Sequence, residues 1–306
     1  MLDVSLLGTG GMMPLPNRYL TSCLLRYNGS NVLIDCGEGT QTALRRRGWS
    51  CKPIDTILLT HFHADHIAGL PGLLLTMGNA EREEPVTIIG PHGIDRIVQA
   101  VRTIAPELPF ETRTEEIESP GQTFSRCGME MTAFREKHGI VCYGWEIHIP
   151  RQGKFNVEAA RARNIPLKYW NPLQKGETVI GEDGNVYTPD MVLGGERPGI
   201  KFVYATDTRP VPAIASHARD ADLLICEGMY GEDGMEAKAR EHKHMTMQEA
   251  AEIAREAQPR EMWLTHFSPS VVHPEEYLDR IREIFPRTVI PKDGRTISIA
   301  FREEEE

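Results

Sequence analysis

No C-x-x-C pair occurs among the six cysteines of this 306-residue chain, which stand alone at 23, 36, 51, 127, 142 and 226. That excludes a zinc-ribbon pattern and a disulfide framework, and it suits a reducing compartment. No stretch approaches the ~18 consecutive apolar residues of a membrane span, so a spanning helix is not expected. The N-terminal Met-Leu-Asp-Val-Ser-Leu-Leu-Gly lacks a basic region followed by an apolar core, and no signal peptide is expected. The expected location is therefore cytoplasmic. Positive charge is also scarce: Lys and Arg number 34 against 44 Asp and Glu, a net charge of −10. This excludes a uniformly basic coat for nucleic acid and leaves room only for a local basic patch. Internal repeats and interdomain linkers are missing. With 25% charged and 40% hydrophobic residues, disorder is not indicated either, and the length suits one large domain or two small ones.

What is present concentrates between residues 54 and 72. Ile54 to Thr60 is apolar and β-branched after Pro53, and reads as a buried strand. His61, His63, Asp65 and His66 then crowd into six positions. A core strand has no use for three imidazoles and a carboxylate at its end, whereas zinc and its neighbours are held by such nitrogen and oxygen donors. Residues two apart in extended backbone face the same way, so His61 and His63 can hold one ion. Asp65 and His66 fall where the backbone must turn into a helix and can face a second. The order His61-Phe62-His63-Ala64-Asp65-His66 resembles the signature of the metallo-β-lactamase superfamily. The resemblance implies an α/β, four-layer αββα sandwich with metals at one edge of two packed sheets.

Leu7-Gly8-Thr9-Gly10, Asp35-Cys36-Gly37-Glu38-Gly39-Thr40-Gln41 and Leu59 to Gly72 together resemble the N-terminal half of the ribonuclease Z family, which trims transfer-RNA 3′ ends. Strands are expected at 2–7, 20–27, 31–34, 86–89, 110–117, 129–137 and 142–149, with helices at 40–48, 71–78 and up to Ile104. A single His at a strand end is ordinarily just a polar loop residue. The position of His138 after the strand 129–137 resembles the family's third histidine ligand. In the C-terminal half, Thr206-Asp207-Thr208 resembles the family's Gly-Asp-Thr with Thr206 in place of Gly, which implies Asp207 as the carboxylate bridging two ions. Glu227 ends a buried strand and resembles an acid that supports an imidazole. Thr246 with Glu249 reads as a capping box opening a helix to about Gln258. His266 ends the strand 261–265. His244 resembles the catalytic histidine of the family's His-Ser-Thr, with Met245 as the departure and His242 as the competitor.

From Pro150 to Gly199 the character changes. Arg151, Lys154, Arg161, Arg163, Lys168 and Lys175 face Glu158 alone up to residue 175, with Phe155, Tyr169 and Trp170 between them. Without an apolar periodic pattern, this insertion is expected to be a solvated excursion rather than core. It resembles the flexible arm with which the family grips the body of its RNA, which gives Lys154, Arg161, Arg163 and Lys168 as phosphate-binding candidates. Asn171-Pro172 stands where relatives often carry Gly-Pro. The expected organisation is one domain over 1–306 with the arm at 150–199 inserted in it. The acidic tail Glu303–Glu306 is expected to fray.

The resemblance thus implies a metal-dependent endoribonuclease that removes the 3′ trailer of precursor tRNA and leaves a 3′-hydroxyl. Two divalent ions are expected, zinc fitting the donors best and manganese also fitting, with His61, His63 and His138 on one, Asp65, His66 and His266 on the other, and Asp207 between. Their chemistry would be to activate a water and offset phosphate charge. Asp65 would accept a proton and His244 would donate one. A homodimer is implied, one subunit's arm serving the other's site. The competing readings are a small-molecule phosphodiesterase of the same fold and a catalytically inactive RNA-binding subunit.

Overall fold

Asn28 and Gly29 both take positive φ, 50° and 87°, as a two-residue hairpin turn requires. They join the antiparallel strands Ser22–Tyr27 and Ser30–Ile34, with Tyr27 opposite Ser30. This hairpin opens the first of two seven-stranded sheets in a computed structural model of the chain, which describes residues 1–182, 184–195 and 197–302. The tail Glu303–Glu306 lies outside the described residues.

The first sheet runs Arg295–Ile299, Leu2–Gly8, Ser22–Tyr27, Ser30–Ile34, Ile54–Leu58, Val86–Gly90, Thr112–Glu116 from edge to edge. Its first four strands pair antiparallel and the remainder parallel. The strand Ile54–Leu58 sits between two parallel neighbours, and all of it but Asp55 is buried. The second sheet runs Thr288–Val289, Met262–Thr265, Leu223–Glu227, Arg197–Ala205, Tyr143–Arg151, Met129–Arg135, Thr123–Arg126.

Each sheet carries its own helices. Leu44, Leu73, Leu74, Met77, Val98 and Val101, from helices Thr40–Arg46, Leu70–Asn79 and Ile94–Ile104, join the core of the first sheet. Ile214, Ala250, Ala251, Ala254 and Ile281, from helices Pro212–Ala218, Met247–Ala257 and Leu278–Ile284, join that of the second. This is the αββα arrangement. The helix Met247–Ala257 starts at the capping box: Glu249 N–H donates to Thr246 Oγ1 at 3.2 Å, and Thr246 N–H donates to Glu249 Oε2 at 3.0 Å. No helix among the described residues is long and apolar enough to cross a membrane.

The chain divides into two compact units. The first comprises Met1–His148 and Lys201–Ala300; among the described residues, the second comprises those between Ile149 and Ile200, with Phe301 and Arg302. The second unit departs from the expectation of a coreless excursion. Ala160, Ile165, Leu173, Tyr187 and Val192 are buried together, with Phe155, Tyr169 and Trp170 packed against them. Trp170 Nε1–H donates to Ile165 O at 2.9 Å. The aromatics are used as a small core rather than laid out for bases. The apolar residues come from two short helical turns and a two-stranded ribbon, so no single period links them.

Candidate metal centre

Six strands end at one edge of the two sheets, and each delivers a polar side chain just past its C-terminal end. Ser30–Ile34 is followed by Asp35, Ile54–Leu58 by Thr60 to His66, and Met129–Arg135 by Glu136 and His138. Arg197–Ala205 is followed by Asp207, Leu223–Glu227 ends on Glu227 itself, and Met262–Thr265 leads to His266. Several of these residues hold left-handed backbone without being glycine: Asp35 (φ 57°), Asp207 (59°) and His266 (57°), as does Lys243 (60°), the residue before His244. Such conformations cost ~1–3 kcal/mol each and gather where a site dictates the backbone.

Two groups of donors result. Nε2 of His61, Nδ1 of His63 and Nε2 of His138 converge, with His61–His63 at 3.0 Å and His63–His138 at 3.1 Å. Asp207 Oδ2 stands 3.6 Å from His61 and 3.9 Å from His138. In the second group, Nε2 of His66 and His266 are 3.3 Å apart and Asp207 Oδ1 is 3.1 Å from each. Asp65 Oδ2 completes it, 3.3 Å from His266 and 3.8 Å from His66. The two oxygens of Asp207 therefore belong to different groups. Every expected ligand falls in one of them, and His61 and His63 do share a group.

The outer nitrogens explain the ring orientations. His66 Nδ1–H donates to Asp35 Oδ2 at 2.8 Å, and Asp35 also accepts from Thr60 N–H at 2.9 Å. His138 Nδ1–H donates to the carbonyl of Lys243 at 3.2 Å, and His61 Nδ1 pairs with Thr60 Oγ1 at 3.0 Å. Each of these bonds leaves Nε2 as a lone pair facing inward. Burial holds His61 well below the ordinary imidazole range, and burial likewise lowers His138. Burial alone would raise Asp207, but the charges of His266, His66 and His61 outweigh it and hold it well below the carboxylate range. His66 goes the other way: against burial, Asp207 and Asp35 raise it well above the imidazole range. A cation bound there would take the place of the His66 proton.

The donors fit zinc. Atoms 2.0–2.1 Å from one ion in a tetrahedron stand roughly 3.3 Å apart, and the inward nitrogens stand 3.0–3.3 Å apart. Nitrogens packed at this distance share either a proton or a cation.

Beside these groups, Nδ1 of His244 lies 3.2 Å from Glu227 Oε2, and the two residues form a further candidate group with His266. Glu227 is wholly buried and also accepts from the backbone N–H of Thr208 and of Met245. Burial would lower His244, but the Glu227 carboxylate outweighs it and raises the ring to about 9. His242, the competitor, is exposed at the end of the helix Glu236–His242. Both residues line a cavity of about 410 Å³ that also reaches His63, Asp65, His138, Asp207 and His266.

The arm candidates belong to the second unit. Lys154, Arg161 and Arg163 are exposed, whereas Lys168 is paired with Glu182 at 2.6 Å. Asn171-Pro172 lies in the short helix Trp170–Gln174. Asp35, Thr60 and the Lys243 carbonyl were not foreseen as parts of the site. Asp35 heads the family-like stretch Asp35–Gln41 and closes the strand Ser30–Ile34, but a strand-end acid before two glycines reads equally well as a turn.

The sandwich and its paired donor groups define a metallo-hydrolase of the β-lactamase superfamily. Residues 185–267 match the β-lactamase superfamily domain, and residues 2–103 match the family described as anti-Pycsar protein Apyc1. Ribonuclease Z of Lachnospira eligens is 57% identical over 99% of this chain and 100% of its own length. That of Agathobacter rectalis is 56% identical, with the same coverage. Human tRNase Z, short form, superposes with a TM-score of 0.69 at 26% identity, covering 98% of this chain and all of its own. This chain belongs to the ribonuclease Z family.

Proposed function

We propose that the chain is an endoribonuclease that hydrolyses one phosphodiester of precursor tRNA, releasing the 3′ trailer and leaving a 3′-hydroxyl on the tRNA. The observation that carries this reading is Asp207, whose two oxygens serve separate histidine groups in a chain 57% identical to a ribonuclease Z. His61, His63 and His138 would hold one divalent ion and Asp65, His66 and His266 the other, with zinc favoured by the donors and manganese the alternative. When bound, the ions supply positive charge against the phosphate oxygens and lower the pKa of water.

The chain's own groups move the protons. Asp65, open on the cavity side, takes the proton of the attacking water. His244, kept protonated by Glu227, gives its Nε2 proton to the departing 3′ oxygen as the P–O3′ bond breaks, so the trailer keeps the phosphate. The exposed cations Lys154, Arg161 and Arg163 would take RNA phosphates, and Lys168 serves less well because Glu182 already neutralises it. The inserted segment acts as the substrate-binding arm of a single catalytic domain. We further propose a homodimer working in the cytoplasm.

The test is cleavage of a precursor tRNA transcript by the purified protein, with the 3′ end of the product identified. His61→Ala should abolish cleavage, and a chelator should do the same. Removal of residues 151–195 should abolish RNA cleavage while a chromogenic phosphodiester is still hydrolysed. If that deletion leaves RNA processing intact, the role of the arm is wrong. If only the small diester is ever cleaved, the RNA substrate is wrong.

A further inference from the structure

Met12 occupies a conformation that a side chain of its size rarely adopts, with φ 68°. Met13 N–H donates back to Gly11 O at 2.9 Å, closing a three-residue turn centred on Met12. Positive-φ turns of this kind are rare and strained. Backbone contacts hold the turn in place. Gly11 N–H donates to Phe267 O at 3.1 Å, and Met12 N–H donates to Asp65 Oδ2 at 2.7 Å. Gly11 lies flat on His266, where a Cβ would come within 2.6 Å of the ring.

On the side of the turn, these contacts use only main-chain atoms. Glycine would provide the Met12 amide at lower cost, so the side chain needs its own reason. Met12 is 60% and Met13 54% exposed, and both line the cavity over the donor groups. Lys238 and His242 stand along the same cavity. It therefore pairs a thioether surface with the Lys238 ammonium, next to the place where the phosphodiester must sit. A nucleotide has the matching halves: a polarisable flat base and an anionic phosphate. Thioether sulfur on an aromatic face is worth ~0.3–1.5 kcal/mol, and base stacking is indifferent to which base is present.

We infer that Met12 and Met13 form a platform for an unpaired base flanking the scissile phosphate, held open by the strained turn at Met12. This rests on the endoribonuclease reading above. The platform fixes where along the single strand the scissile bond comes to rest.

The experiment compares wild type, Met12→Ser, Met13→Ser and the conservative Met12→Leu and Met13→Leu on a precursor tRNA. The same transcript is then made with an abasic nucleotide on one or the other side of the scissile phosphate. Each Ser variant should raise KM for intact RNA about tenfold, with kcat within about twofold, and each Leu variant should restore KM to within about twofold. On the RNA abasic at the stacked position, wild type should lose the same factor and the Ser variants should lose little more. If base removal costs wild type and Ser variants equally at both positions, the platform is disproved. A loss carried by kcat alone also overturns it, because that points to Asp65 instead. A wild type that leaves intact RNA uncut overturns the endoribonuclease reading and this inference with it, a result distinct from cleavage without coupling.

Discussion

Oδ2 of Asp35 lies 2.8 Å from Nδ1 of His66, and neither side chain reaches solvent. Asp35 sits behind the donor groups and meets His66 only at its outer nitrogen. It fixes the tautomer of His66 and makes Nε2 a better donor. Asp35→Asn keeps the size and the Thr60 contacts but loses the charge. We expect divalent-metal affinity to fall about 10–100-fold, measured by competition with a chromogenic chelator. Thermal stability of the metal-free protein should fall, since buried His66 then loses one of the two carboxylates that offset its proton. Unchanged metal affinity in the Asn variant would show that Thr60 alone orients the ring.

Asp35 also marks the limit of what could be read from the chain. His61, His63, Asp65 and His66 announce themselves because the ligand types fall within six consecutive positions at the end of an apolar strand. His138, Asp207 and His266 are single residues past the ends of three separate strands, and only family likeness singled them out. Asp35 and Thr60 meet because Ser30–Ile34 and Ile54–Leu58 pair in parallel, with Asp35 N–H donating to Leu58 O at 2.8 Å. That adjacency belongs to strand pairing rather than to any local pattern. Most strands were placed to within two residues, since alternation and turn chemistry are local. The helix Pro212–Ala218 was missed because its Pro-Ala-Ile-Ala-Ser-His-Ala run is short and weakly patterned. The core of the inserted unit was missed because its members recur at no single spacing.

Asp207 is the one side chain common to both donor groups, and its carboxylate is almost wholly buried. Asp207→Ala should therefore lower metal content in both places rather than one, whereas His63→Ala should affect mainly the first. Elemental analysis after dialysis separates the two patterns. Activity of the Asp207 variant should fall by at least about a thousandfold, as expected when charge stabilisation of the transition state is lost. A variant with full metal content would mean that the carboxylate bridges nothing.

Glu227 and His244 make a second buried pair, 3.2 Å apart. His244→Ala should reduce kcat on RNA about 10²–10⁴-fold. The loss should be smaller on a nitrophenyl diester, whose leaving group needs no proton. Glu227→Gln tests the tuning. The carboxylate raises His244 to about 9, and the ring must be protonated to donate. Activity is thus present below that pKa and lost above it. Without the carboxylate the pKa falls, so the alkaline limb of the kcat profile should move to lower pH. An unmoved limb would assign it to a different group.

Glu146 Oε2 accepts from Nδ1 of His217 at 2.8 Å and lies 3.7 Å from Lys201 Nζ, and the His217 ring stacks on Phe134 at 4.4 Å. Burial would raise the Glu146 carboxyl, but the His217 hydrogen bond and the Lys201 charge outweigh it and lower its pKa. The unfolded chain therefore binds this proton more readily than the folded one. The resulting stability is complete above the unfolded value of about 4.5 and is lost as pH falls through the lower folded value. Glu146→Gln should cost about 1 kcal/mol at pH 7, the scale of one hydrogen bond to a charged group at a partly buried position. Urea unfolding of metal-free wild type and variant from pH 7 downward checks this, because ligand loss then plays no part. The gap between the two should hold steady down to about pH 4.5 and close below it. A gap of constant size down to pH 3 would instead mean that Glu146 contributes through the packing of His217 on Phe134, and that its charge is immaterial.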